Sequence, residues 1–297
     1  MLGLGNSIIS SSVLETAAAV TLDYTTNLVG WWDFSDASQM YVEKDAYTTN
    51  VSSDGDAIGR VKNKAETTPL GNFLRASSDS ERPLYKTGGQ NGKSYALFDG
   101  TDDHLLGLKD GTSQDYGSVS SSKFSECELD GHDNTMFVVM RATETDTVGT
   151  KKIVIIGGSN SAAGDSGQII WQKLNSDVPY AMLFSSDDGH GAMIGSADID
   201  TTVRDYAVKW TPGIGNCKIY VNNAVTTSGN VNVATADIFK FEQDDDYVVI
   251  GENFNAGTVS GYNFGGSIYE VLVYNEALND TNRGTVHDYL NQKYNLY

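Results

Sequence analysis

Asp99, Asp102 and Asp103 fall within a single short stretch, Asp99-Gly100-Thr101-Asp102-Asp103. Carboxylates at that spacing offer hard oxygens to a divalent cation such as calcium, while Asp99-Gly100 is equally a turn signal in its own right. Asp187-Asp188 and Asp244-Asp245-Asp246 also offer hard oxygens close together, and the run Asp244 to Asp246 is equally a solvated loop. No segment has the spaced acids of an EF-hand. The four histidines, His104, His132, His190 and His287, show no metal-ligand spacing. No serine stands in a nucleophile elbow, and Gly157-Gly158-Ser159 lacks the lysine of a phosphate loop. Trp171, Tyr180, Tyr262 and Phe264 are the aromatic residues that could stack on the apolar face of a sugar, although rings at strand spacing also serve as core.

These residues must be held by strands. Leu28 to Asp33, Ile58 to Val61, Thr135 to Ala142, Lys152 to Ile156, Gln168 to Gln172, Tyr180 to Phe184 and Tyr247 to Gly251 are apolar or alternating runs. Tyr206, Val208 and Trp210 alternate toward a core. Asn222-Asn223 predicts a tight hairpin, and the Tyr95–Leu106 stretch predicts a second one turning at Asp99-Gly100. The run Gly265 to Tyr274 is apolar on both faces and predicts a central strand. Strict alternation puts Ile268, Leu272 and Tyr274 on one face and Tyr269, Val271 and Val273 on the other. Asn279 or Asp280 can cap a closing helix in which Val286, Tyr289, Leu290 and Tyr294 recur at helical spacing. The expected fold is therefore all-β, a two-sheet antiparallel sandwich with one short C-terminal helix.

At 297 residues the chain can bury a large core, and with no change of composition and no repeat it reads as one domain over residues 27–297. Residues 1–26 are rich in small side chains, and we expect an attachment arm there, with Leu2, Leu4, Ile8, Ile9, Val13 and Leu14 as its partner-binding residues. Acidic residues number 39 against 20 basic, a formal charge of −19, which disfavours nucleic acid and anionic lipid surfaces as partners. The first residues lack the basic start and apolar run of a secretory signal, and no segment is long enough to span a bilayer, so export by the usual route is not expected. Cys127 and Cys217 form no disulfide framework, although a bridge between them stays open.

The order of several blocks resembles the laminin-G-like jelly roll of the concanavalin A-like lectin and glucanase superfamily. They are Leu28-Val29-Gly30-Trp31-Trp32-Asp33, Leu97-Phe98-Asp99-Gly100-Thr101-Asp102-Asp103, Trp210 with Ile219-Tyr220-Val221-Asn222-Asn223, Gly265-Gly266-Ser267-Ile268-Tyr269-Glu270-Val271 and Tyr289-Leu290-Asn291-Gln292-Lys293-Tyr294. The resemblance implies two sheets, one concave, with binding loops and often a calcium ion at a rim. Glycosidases of that superfamily carry a Glu-x-Asp-x-(x)-Glu cluster on one strand. Here Glu270 and Glu276 have no third acid between them, so Glu270 is expected to be structural and the chain not an enzyme. The start Met1-Leu2-Gly3-Leu4-Gly5-Asn6 is similar to the opening of marine bacteriophage structural proteins. That likeness implies a virion protein, a decoration or fibre-like component, perched on other virion proteins through residues 1–26 and assembling as a homo-oligomer such as a trimer. The alternative expectation is a calcium-dependent lectin at a cell surface.

Overall fold

The computed structural model describes residues 20–66, 70–109, 123–124, 134–142, 150–156, 167–173, 178–184, 191–194, 201–211, 217–229, 247–252, 254–255, 258–259 and 263–297. Two large sheets and one α-helix dominate these residues, beside a small ribbon of Phe254–Asn255 with Thr258–Val259, and form the jelly-roll sandwich expected from the strand pattern. The first sheet runs in the order Ala224–Gly229, Cys217–Val221, Arg204–Trp210, Asn134–Ala142, Gly265–Tyr274, Tyr95–Asp99 and Leu84–Lys86, with Leu28–Asp33 also paired to Gly265–Tyr274. The second runs Gly191–Ile194, Val178–Phe184, Gly167–Lys173, Thr150–Ile156, Tyr247–Ile250, Leu105–Lys109, Phe73–Arg75, Arg60–Lys62 and Met40–Tyr41. Pairing is antiparallel except where Lys123–Phe124 joins Leu105–Lys109 in parallel.

Alternation along the strands builds two apolar layers. Met136, Val138 and Met140 of the first sheet meet Val61, Leu74, Leu105, Val248 and Ile250 of the second, and this layer is the sandwich core. The opposite face of the first sheet, with Phe137, Val139, Leu272 and Tyr274, is covered by the helix Asp280–Tyr294 through Val286, Tyr289, Leu290 and Tyr294. The helix starts where the sequence signal lies, with the Asn279 side chain accepting from the Asn282 N–H at 2.9 Å. Leu22 and Tyr24 pack on this second layer as well, so the packed body reaches back into the last residues assigned to the arm.

Gly265–Tyr274 is central, as both apolar faces require, but strict alternation fails within it. The pairing with Asn134–Ala142 shifts between Ile268, opposite Met140, and Glu270, opposite Val139, which leaves Tyr269 as the extra residue of a β-bulge. The bulge moves Ile268 onto the sandwich-core face with Val271 and Val273, and puts Tyr269 with Leu272 and Tyr274 beneath the helix. The face assignment of Ile268 and Tyr269 is thereby reversed. The Tyr95–Leu106 hairpin is a second correction: Tyr95–Asp99 lies in the first sheet and Leu105–Lys109 in the second, so the Asp99-Gly100 turn carries the chain across the sandwich. By contrast Asn222 and Asn223 both take positive φ, 48° and 62°, as a two-residue hairpin of type I′ demands.

Replacing Leu290, fully buried beneath the sheet, by Ala removes the centre of the helix layer and should lower unfolding free energy by about 2–5 kcal/mol. Urea unfolding followed by tryptophan fluorescence should show a lower midpoint with an unchanged slope. Val225→Ala, at an exposed site on the edge strand, should leave the midpoint nearly in place.

Candidate functional site

Crossing between sheets forces the 100–104 connector to bury polar groups, and they satisfy one another. Asp103 is 5% exposed and its carboxylate accepts the Asp99 N–H at 2.8 Å. Asp99 in turn accepts the Thr101 and Asp102 N–H groups at 2.7 and 3.3 Å. His104 is buried, its Nδ1 3.0 Å from both the Asp102 carbonyl and a Glu252 carboxylate oxygen and its Nε2 2.6 Å from the Ser77 hydroxyl. Burial alone would lower the His104 pKa, but Glu252 and the Asp102 carbonyl more than offset it and the imidazole holds its proton more firmly than usual. Gly251 takes φ +100° beside this connector, and a Cβ there would lie 2.5 Å from the Phe98 ring and 2.8 Å from the Asp103 carbonyl.

Asp99, Asp102 and Asp103 come together with one carboxylate oxygen each inside a 4.8 Å span. The donors are all hard oxygens and so fit calcium, with the remaining ligands to come from carbonyls or water. The electrostatics fit as well: burial, then the charges of Asp99 and Asp102, push Asp103 up to about 7, against the opposing pull of the Asp99 N–H and His104.

Glu270 presents the opposite case. It is 1% exposed beneath the C-terminal helix, and four donors saturate it. Trp31 Nε1–H (2.6 Å) and Tyr289 O–H (2.8 Å) donate to Oε1, and Lys293 Nζ and Tyr294 O–H (both 2.8 Å) donate to Oε2. Lys293 also reaches Asp33 at 2.9 Å, and Asp33 is held by Lys64 at 2.9 Å. Burial and then the Asp33 charge raise the Glu270 pKa, with Lys293 working against them. Glu270 is a structural carboxylate here, with neither free lone pairs nor a path to substrate.

The remaining predicted residues lie apart from this turn. Phe264 is fully buried, its ring 6.2 Å from that of Phe98 in the sandwich core, so its place is packing and it is withdrawn as a sugar platform. Trp171 and Tyr180 are direct register partners on neighbouring strands of the second sheet. Tyr262, Asp187, Asp188, Asp244 to Asp246, Cys127 and the arm residues Leu2, Leu4, Ile8, Ile9, Val13 and Leu14 lie outside the described residues. Sequence reasoning missed Arg60, which is fully buried between the rings of Tyr47 (4.2 Å) and Phe73 (4.3 Å). It also missed the buried pair His287–Asp205 at 2.8 Å. His287 lies one residue after Val286 in the helical stripe, a signal that a polar group shared the covered face.

No family model matches this sequence, and no curated protein is matched by it. Among solved structures, the chain is similar to the CBM40 of a Ruminococcus gnavus IT-sialidase bound to α2,3-sialyllactose, with 18% identity and TM-score 0.43 over 50% of this chain and 79% of that one. It is also similar to Trypanosoma rangeli sialidase in complex with the inhibitor DANA, with 13% identity and TM-score 0.49 over 90% of this chain and 33% of that one. Both are distant likenesses of fold.

The Asp103 environment fixes the sign of a pH dependence. A carboxyl raised in the folded state contributes stability fully present below about pH 4, its unfolded value, and lost as pH rises through about 7. In EDTA, the melting temperature of the protein should fall as pH rises across that window, and Asp103→Asn should flatten the decline.

Proposed function

We propose that this chain is a non-enzymatic binding and display module. Its jelly-roll head takes a calcium ion at the Asp99–Asp102–Asp103 turn and engages glycans at the same rim. Residues 1–26 hold it on a virion as a decoration or fibre-like component. One contrast carries the reading: the carboxylate on the central strand, Glu270, is locked by four donors, whereas the three at the sheet-crossing turn crowd together with no lysine or arginine paired to them among the described contacts. Crowded oxygens without a cation suit ion capture, while an interior carboxylate sealed beneath the helix suits neither nucleophilic attack nor acid–base catalysis on a bound sugar. The acidic surface favours a soluble head over a nucleic-acid or membrane binder. Attachment to other virion proteins rests on the small-residue arm and its similarity to phage structural proteins.

Two measurements test the head. Saturating calcium should raise the melting temperature, by an amount that follows the mass-action stabilisation of about 2.7 kcal/mol at a hundred times Kd, and Asp102→Asn should abolish the shift. A glycan array run with calcium and with EDTA should show calcium-dependent retention. No calcium shift and no retention would remove the binding reading, and release of reducing sugar from a polysaccharide panel would replace it with catalysis. For the arm, deleting residues 1–19 should leave the melting temperature unchanged and abolish retention on purified particles; equal retention would separate the head from any virion role.

A further inference from the structure

Lys293 is a primary amine, 8% exposed, in a pocket walled by rings, its Nζ 5.4 Å from the Tyr289 centroid and 5.2 Å from that of Tyr294. It touches two carboxylates at once, Asp33 Oδ2 at 2.9 Å and Glu270 Oε2 at 2.8 Å, and both belong to residues at most 3% exposed. An ion pair alone needs one carboxylate. Nucleophilic amine, carboxyl electrophile and adjacent carboxylate base in a water-poor site are the parts required for amide formation between side chains. We propose that Lys293 and Asp33 condense to an intramolecular isopeptide bond, with Glu270 carrying the protons.

The electrophile is prepared on both oxygens. Asp33 Oδ1 accepts from the Ser35 N–H at 3.0 Å and from its hydroxyl at 2.6 Å, a two-donor cradle for a developing oxyanion. Asp33 Oδ2, the departing oxygen, faces the Lys64 ammonium at 2.9 Å. Against the upward push of burial, Lys293 and Lys64 hold the Asp33 carboxyl below the usual carboxylate range, so a proton must reach it before attack. Glu270 takes one Nζ proton and passes it to Oδ2, which leaves a neutral amine beside a neutral carboxyl. The Nζ lone pair then forms the N–C bond at Cγ, and the oxyanion at Oδ1 rests on the Ser35 donors. Glu270, empty again, carries the second Nζ proton to the Oδ2 hydroxyl, which leaves as water as the C–O bond breaks. An ammonium and a carboxylate become a neutral amide and one water, and Glu270 ends as it began, still held by Trp31, Tyr289 and Tyr294. The raised pKa of Glu270 suits a proton carrier. Lys64, shared with Asp36 at 3.2 Å and more exposed than Lys293, keeps its charge and serves as donor.

Intact-mass spectrometry of the denatured, full-length protein decides it. Unmodified sequence should be lighter by one water, and a tryptic digest should yield a branched peptide joining Asp33 to Lys293. Lys293→Arg and Glu270→Gln should each appear at the full mass of its own sequence. If Glu270→Gln does not fold, Lys293→Arg and the branched peptide of the parent suffice. A parent protein at full sequence mass overturns the proposal, and so does a branch mapped to Lys64.

Discussion

Burying a carboxylate beneath a helix costs several kcal/mol unless charge and hydrogen bonds replace the lost water. Glu270 sets that condition for the whole molecule. Its donors come from the first strand, through Trp31, and from the last helix, through Tyr289, Lys293 and Tyr294, so both ends of the described body must be seated before the charge is satisfied. Tyr289, Lys293 and Tyr294 occupy one helical face at i, i+4 and i+5. A helix slipped by one turn would keep much of its apolar contact and leave Glu270 unsatisfied, so the buried charge specifies the register that Val286 and Leu290 merely favour.

Charge is distributed with the same logic. Cations are few: Lys64 and Lys293 sit around the buried Asp33 and Glu270, histidines face the buried Glu252 and Asp205, and Arg283 pairs with the exposed Asp280 in the first helical turn. The Asp99–Asp102–Asp103 turn receives backbone N–H donors and a neighbouring His104 instead. The two acid groups therefore differ in kind, one closed by lysine and tyrosine, the other dependent on its own backbone.

The closing helix was legible because Val286, Tyr289, Leu290 and Tyr294 repeat at its period and Asn279 caps it, and the Asn222-Asn223 hairpin was legible because both residues tolerate positive φ. The bulge at Tyr269 was not. A pattern of period two carries no mark of an inserted residue when both faces are apolar. Asp99-Gly100 announces a turn but not which sheet receives the chain, since that depends on packing far away in sequence. The aromatic at 264 looked the same whether core or platform, because ring type does not encode exposure. Asp99, Asp102 and Asp103 were legible as a group because they are close in sequence, whereas the Asp33–Glu270–Lys293 group was hidden because its members come from opposite ends of the chain.

Leu28–Asp33 pairs with Gly265–Tyr274, and that late strand also joins Asn134–Ala142 to Tyr95–Asp99. The first sheet is therefore assembled around a strand that leaves the ribosome long after the earlier strands it pairs with. Until then Trp31, Trp32 and the apolar Met136–Met140 run have no lasting neighbour on that side, and such exposed strands are the surfaces that chaperones and like chains capture. Closure of this non-local pairing is an intrinsically slow step. The non-local pairing thus makes the time its early strands spend solvated, before Gly265–Tyr274 reaches them, the interval in which they are open to capture.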